Sequence, residues 1–120
     1  MAFSKQTLDA LWNKARIVEG LDSSLFRKDA CGALIMYNKY GLENPYGWVV
    51  DHIFPISLGG DDQIENLRAL HYLNNQSKAD DYPTYTSVVK FDGRNNQPTE
   101  QSLTVNSKRR EILKTIYKNA

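Results

Sequence analysis

Leu8, Leu11, Trp12 and Ala15 recur at the i, i+3, i+4, i+7 spacing that lines one helix face, and Ser4 stands where an N-cap belongs. Gly20 marks the end of that segment, and Asp22 is placed to cap a short turn through Leu25 and Phe26. The apolar run 33–37 predicts a buried strand. Turn chemistry follows at 41–45, with Gly41 and Pro45 at its ends. Residues 48–54 are β-branched and aromatic and predict a strand. Residues 55–62, containing Gly59-Gly60, predict a loop. A short strand at 67–70 then leads to a polar helix at 72–79, stopped by Asp80-Asp81 and Pro83. Two strands, 88–91 and 103–105, are expected around a loop at 92–98. Ile112, Leu113, Ile116 and Tyr117 predict a closing helix capped by Asn106 or Ser107. This mixed order predicts an α+β fold.

The 120 residues suit one domain, 1–120, with 82–120 as a C-terminal extension to a core at 48–80. The longest apolar run is five residues, 33–37, far short of a membrane span. Residues 1–10 carry Lys5, Gln6 and Asp9 with no apolar stretch, so no signal peptide is expected and the expected location is cytoplasmic. One cysteine, Cys31, leaves no internal disulfide and no four-cysteine metal knuckle. The net charge of +1 conceals segregation. Residues 51–81 hold two basic and six acidic residues, whereas 82–120 hold seven basic and three acidic.

The acidic stretch carries the chemistry. Asp51 and His52 adjoin at a strand end, where period-2 alternation sends neighbouring side chains to opposite faces. They serve one site only if the strand end twists or one of them reaches around an edge. By itself the pair is more often a structural strand-end contact. A carboxylate beside an imidazole also suits a metal ligand beside a general base. Carboxylate and amide oxygens are hard donors, suited to Mg²⁺ or Mn²⁺.

Asp51-His52-Ile53-Phe54-Pro55, Gly59-Gly60, Asn66-Leu67, and Asn75 with Lys78 stand in one register. Asn66 lies 14 residues after His52, and Asn75 lies 9 after Asn66. This set resembles the HNH endonucleases, whose fold is the ββα-metal finger. The upstream residues 26–32 and Tyr46-Gly47-Trp48 are similar to a bacterial branch of that family, and the resemblance spans about 25–80.

The resemblance implies a metal-dependent endonuclease acting on DNA, double-stranded by preference. His52 would be the general base and Asn66 would brace the loop. Asp51 and Asn75 would hold one divalent cation, Mg²⁺ first, with Mn²⁺ or another transition metal as alternatives. Products would carry 5′-phosphate and 3′-hydroxyl ends. His52 must be neutral to act, so activity should fall as acid protonates the imidazole. Many family members tie the finger with a zinc on four cysteines. Here Cys31 matches one such position, Lys28 stands at its partner's place, and His71 and Asn74 replace the second pair. Two zinc ligands are too few, so no structural zinc is expected. The expected finger core is Trp48, Val50, Ile53, Ile56, Leu67, Leu70 and Leu73.

Several residues carry plainer expectations. Asn74 is expected as a helix N-cap, His71 as a half-buried packed histidine and Cys31 as a small buried residue. Asp61, Asp62 and Glu65 are expected in a solvated loop, and Trp12, Phe26, Tyr37, Tyr40 and Trp48 in the core. Lys108, Arg109 and Arg110 fall in the first turn of the closing helix, where cations oppose the dipole unless phosphates lie near. With Arg68 and Lys78 they are the candidate phosphate contacts. Little chain remains for reading bases, so a protein partner supplying specificity is one expectation, with a monomer or homodimer. Two alternatives stay open: a catalytically inactive nucleic-acid-binding protein of the same fold, and a nuclease toxin.

Overall fold

Ser4 opens helix α1 (Lys5–Lys14), its side chain accepting from the Thr7 N–H. A ten-residue helix is marginal in water by itself. Leu11 and Trp12 bury on the rest of the chain, at about 1.5–3 kcal/mol for each large apolar side chain, and that docking holds it. The helix stops at Lys14, short of Gly20, because the chain turns extended at Ala15 and Arg16 bridges to Lys28. The computed structural model describes residues 3–120. Met1 and Ala2, where the stretch expected to lack a leader begins, lie outside the described residues.

Strands β1 (Phe26–Lys28) and β2 (Leu34–Met36) form the first antiparallel pair. β1 was not foreseen: three residues are too few to show a period, and β2 supplies its register. β3 (Trp48–His52) and β4 (Leu67–His71) form the second pair, with Trp48 opposite His71 and Asp51 opposite Arg68. Helix α2 (Tyr72–Lys78) follows β4 directly. β5 (Thr84–Phe91) and β6 (Asn96–Thr104) form a long third hairpin with an irregularity between Ser87 and Val89. Most of the expected loop at 92–98 is therefore turn and strand. β6 reads Asn-Gln-Pro-Thr-Glu-Gln-Ser-Leu-Thr and has no apolar alternation, so only pairing with β5 defines it. Helix α3 (Ser107–Ile116) closes the fold, capped by Asn106 accepting from the Arg109 N–H. Among the described residues these are three strand pairs and three α-helices, an α+β arrangement.

The β3–β4 pair separates two apolar clusters. Trp48 and Ala69 pack with Trp12 and Ile35 on one side. Leu70, Ile53 and Phe54 pack with Tyr85, Val105, Leu113 and Tyr117 on the other. Trp48, Ile53, Leu67 and Leu70 are buried as expected, but Ile56 and Leu73 are exposed, at 61% and 36%. Ile56 sits in a helical turn (Ile56–Leu58) of the loop, and Leu73 lies one residue into α2 on its outer side. Among the described residues no helix is long and apolar enough to cross a membrane.

Candidate functional site

Asn66 is fully buried and organises the loop between β3 and β4. Its Oδ1 accepts from the Phe54 N–H at 2.7 Å, and its Nδ2 donates to the Phe54 and Asp61 carbonyls at 3.0 and 3.1 Å. Its backbone carbonyl accepts from Ile53. The Gly-Gly pair is required by the same closure. Gly59 sits at φ +114°, and a Cβ on Gly60 would stand 1.9 Å from the Phe54 carbonyl oxygen.

That closure brings the loop's Asp62 back to His52. His52 Nε2 lies 2.7 Å from Asp62 Oδ1. An ionised carboxylate only accepts, so Nε2 is the donor of this pair, and the tautomer that supplies it has its lone pair on Nδ1. His52 is partly open to solvent, with 21% of its side chain exposed. Asp62 was expected in a solvated loop, and it is half exposed; nothing in the local pattern marks it as the partner of a residue ten positions earlier.

His52, Asp51 and Asn75 line one cleft of about 180 Å³, together with Val50, Pro55, Ile56, Ala79 and Asp80. The strand end and the C-terminal turn of α2 thus meet, and the opposite-face problem at Asp51-His52 is resolved at the edge. Asp80 enters the cleft as an acid that sequence spacing did not single out. Ala79, beside it, holds φ +47°, a conformation that favours glycine.

Asp51 is buried and doubly paired. Its Oδ2 takes the Arg68 Nε–H at 2.8 Å, and its Oδ1 lies 3.4 Å from Lys78 Nζ. Lys78 also donates to the His52 carbonyl at 3.1 Å, stapling α2 to the end of β3. Burial lowers the Lys78 pKa from its ordinary value, with Asp51 acting the other way. Arg68 lies over the Tyr85 ring at 5.2 Å; burial disfavours its charge, and the adjacent Asp51 more than offsets that, so its pKa is raised. These placements correct the expectation that Lys78 offers its charge to a surface phosphate, since it is fully buried against Asp51. Arg68 keeps 16% of its side chain exposed, and cross-strand register aims its Nε at the same carboxylate.

The closing basic cluster is also partly tied down. Lys108 is exposed, whereas Arg109 donates to the Glu65 carbonyl and Arg110 to that of Val105. Asp61 accepts from the Tyr117 hydroxyl, which joins the loop to the end of α3; that bond and the Gln63 N–H lower its pKa. Asn74 is no N-cap. His71 fills that role, its Nδ1 accepting from the Leu73 N–H at 3.1 Å while its Nε2 donates to the Pro45 carbonyl at 2.9 Å. His71 is 1% exposed, more deeply placed than expected.

The central geometry is therefore an antiparallel pair, a loop closed by an asparagine, and a helix returning to the strand end. Residues 42–84 match the family model of HNH endonucleases. Over this segment the chain is similar to the HNH endonucleases. No curated protein and no solved structure matches the chain. The HNH segment holds Asp51, His52, Asn66, Arg68, Asn75 and Lys78, and it ends where β5 begins; Lys108, Arg109 and Arg110 lie outside it. An HNH segment points to a nuclease family and a nucleic-acid substrate.

The donor chemistry at the HNH cleft fits a hard cation. Asp51 and Asn75 offer oxygens to the same space, and Asp51 Oδ1 has the looser of its two ion pairs. Among the described residues no three His, Cys, Asp or Glu side chains cluster as a complete ligand set. Two protein oxygens completed by water and phosphate suit Mg²⁺, which keeps much of its hydration.

Proposed function

We propose that the chain is a metal-dependent DNA endonuclease built on a ββα-metal finger. The observation that carries this reading is the convergence of Asp51, His52 and Asn75 on one cleft. His52 acts as general base: Asp62 holds the proton on Nε2, leaving Nδ1 to take one from the attacking water. Asn66 keeps the loop closed and so keeps Asp62 within reach of His52. Asp51 Oδ1 and the Asn75 side chain would hold one divalent cation, with Mg²⁺ the first choice and Mn²⁺ or another transition metal the alternative. When bound, the ion would supply charge neutralisation for phosphodiester hydrolysis. Products carry 5′-phosphate and 3′-hydroxyl ends. No structural zinc is needed, because positions 31, 71 and 74 are joined through Asp29.

The double pairing of Asp51 supports a second reading. A carboxylate neutralised by Arg68 and Lys78 suits a finger that binds nucleic acid without cutting it. Plasmid nicking separates the two. The enzyme converts supercoiled DNA with Mg²⁺ or Mn²⁺, stops in EDTA, and loses about 10²–10⁴-fold in rate as His52→Ala. Wild-type activity no greater than that of His52→Ala, with DNA binding retained, establishes the non-catalytic reading.

A further inference from the structure

A second cleft, of about 350 Å³, opens where the end of α1, β1, β4 and the start of α3 meet. Its lining includes Lys14, Arg16, Arg68 and Arg109. Lys28 also lines it, although its ammonium lies over the Phe91 ring. Asp29 is the one acidic residue in this wall, and its carboxylate already accepts four N–H groups, from Cys31, Ala33, His71 and Asn74.

The cations are held in place without being neutralised. Lys14 Nζ donates to the Ile64 carbonyl at 3.2 Å, Arg16 Nη2 to Ala30 at 2.7 Å, and Arg109 Nη1 to Glu65 at 3.1 Å. Among the described residues none of these three forms a salt bridge, while Lys5, Arg68, Lys78 and Lys114 do. Arg68 commits its Nε to Asp51 but leaves Nη2 buried without a partner. Burial and the neighbouring Arg109 lower the Lys14 pKa, with Glu65 opposing them. The N-terminal end of the ten-residue helix α3 adds its dipole, with Asn106 in the wall. Positive groups gathered in one recess, with an unfilled guanidinium donor, are the complement of a compact anion with several acceptor oxygens.

We propose that this cleft binds a phosphate monoester of mononucleotide size, through Lys14, Arg16, Arg109 and the free Nη2 of Arg68. Its volume falls at the low end of small-molecule sites, about 300–1,000 Å³. A duplex spaces its phosphates along a surface, whereas Lys14, Arg16 and Arg109, the first two exposed, line one cleft. The site uses none of His52, Asn66 or Asn75, so it stands whether or not the chain cleaves DNA.

Calorimetry with inorganic phosphate, a deoxyadenosine 5′-monophosphate probe and unphosphorylated deoxyadenosine tests it. Phosphate and the nucleotide should bind and the nucleoside should not. Lys14→Gln and Arg109→Gln should each weaken the nucleotide by about tenfold or more, while keeping the wild-type circular dichroism spectrum. His52→Ala should bind it like wild type whatever happens to nicking, so failure here and failure of the nuclease reading are told apart. Silence with both phosphate probes overturns the proposal. So does equal binding by the wild type and the two folded variants, which marks an adventitious ion only. An effect of those substitutions on duplex binding alone overturns it too, and makes this face a DNA backbone contact.

Discussion

The Asn74 amide donates to the Asp29 carboxylate at 3.2 Å, across 45 positions of sequence. The same side chain accepts from the Val88 and Val89 N–H groups and donates to the Val89 carbonyl, so it ties α2 to β5 as well. Asp29 in turn gathers the N–H groups of Cys31, Ala33 and His71. Three of the four positions where the family resemblance would place zinc ligands, 31, 71 and 74, meet at one buried carboxylate. Asp29→Asn replaces an accepting oxygen with a donor and leaves N–H groups facing it. The expected loss is about 3 kcal/mol of unfolding free energy, read as a lower urea midpoint. An unchanged midpoint would deny Asp29 its role as the hub.

Gly60 is expected to tolerate no side chain. Gly60→Ala forces the Phe54 carbonyl away and opens the Asn66 closure. Stability should fall by about 1–3 kcal/mol and nicking should fall with it. A variant with wild-type stability and rate would show that the loop relaxes freely.

Asp62 acts through His52. Asp62→Asn replaces an acceptor-only carboxylate with an amide that can either accept or donate, so it no longer selects the Nε2–H tautomer. Turnover should fall by about tenfold, less than the about 10²–10⁴-fold expected for losing the base itself, with KM for DNA little changed. Asp62→Glu should recover part of the rate.

His71 links stability to pH. Burial lowers its pKa, against the opposing bond to Pro45. The folded state therefore binds fewer protons than the unfolded one below the ordinary imidazole value of about 6.5. Its contribution is fully present above that value and is lost as pH falls through the lowered one. Protonation also fills Nδ1, the acceptor for the Leu73 N–H. The urea midpoint should drop as pH falls below about 6.5, and His71→Gln should flatten that drop. Parallel curves for the two proteins would place the linkage elsewhere.

Much of the finger is legible locally. The β-branched run gives β3, turn chemistry gives the Gly59-Gly60 loop, and the His52–Asn66–Asn75 spacing gives the asparagine that closes it. β1 and β6 are not legible, since one is three residues long and the other has no apolar period. Ile56 and Leu73 were misplaced for a related reason: hydrophobicity names what can be buried, and only packing decides which side of a short turn faces inward.

The amino-acid sequence alone determined the cap at Ser4, narrowed the last cap to Asn106 or Ser107, and set the strand–loop–strand–helix order of residues 48–78 with the candidate residues along it. Those depend on spacing, turn propensity and side-chain type within a few residues. Tertiary structure alone decided which charges meet. Register sets Arg68 opposite Asp51, the docking of α2 drives Lys78 into the same carboxylate, and the meeting of α1 with α3 leaves Lys14 and Arg109 without one. Pairing between distant charges follows from how separate elements pack, and no local pattern carries that information.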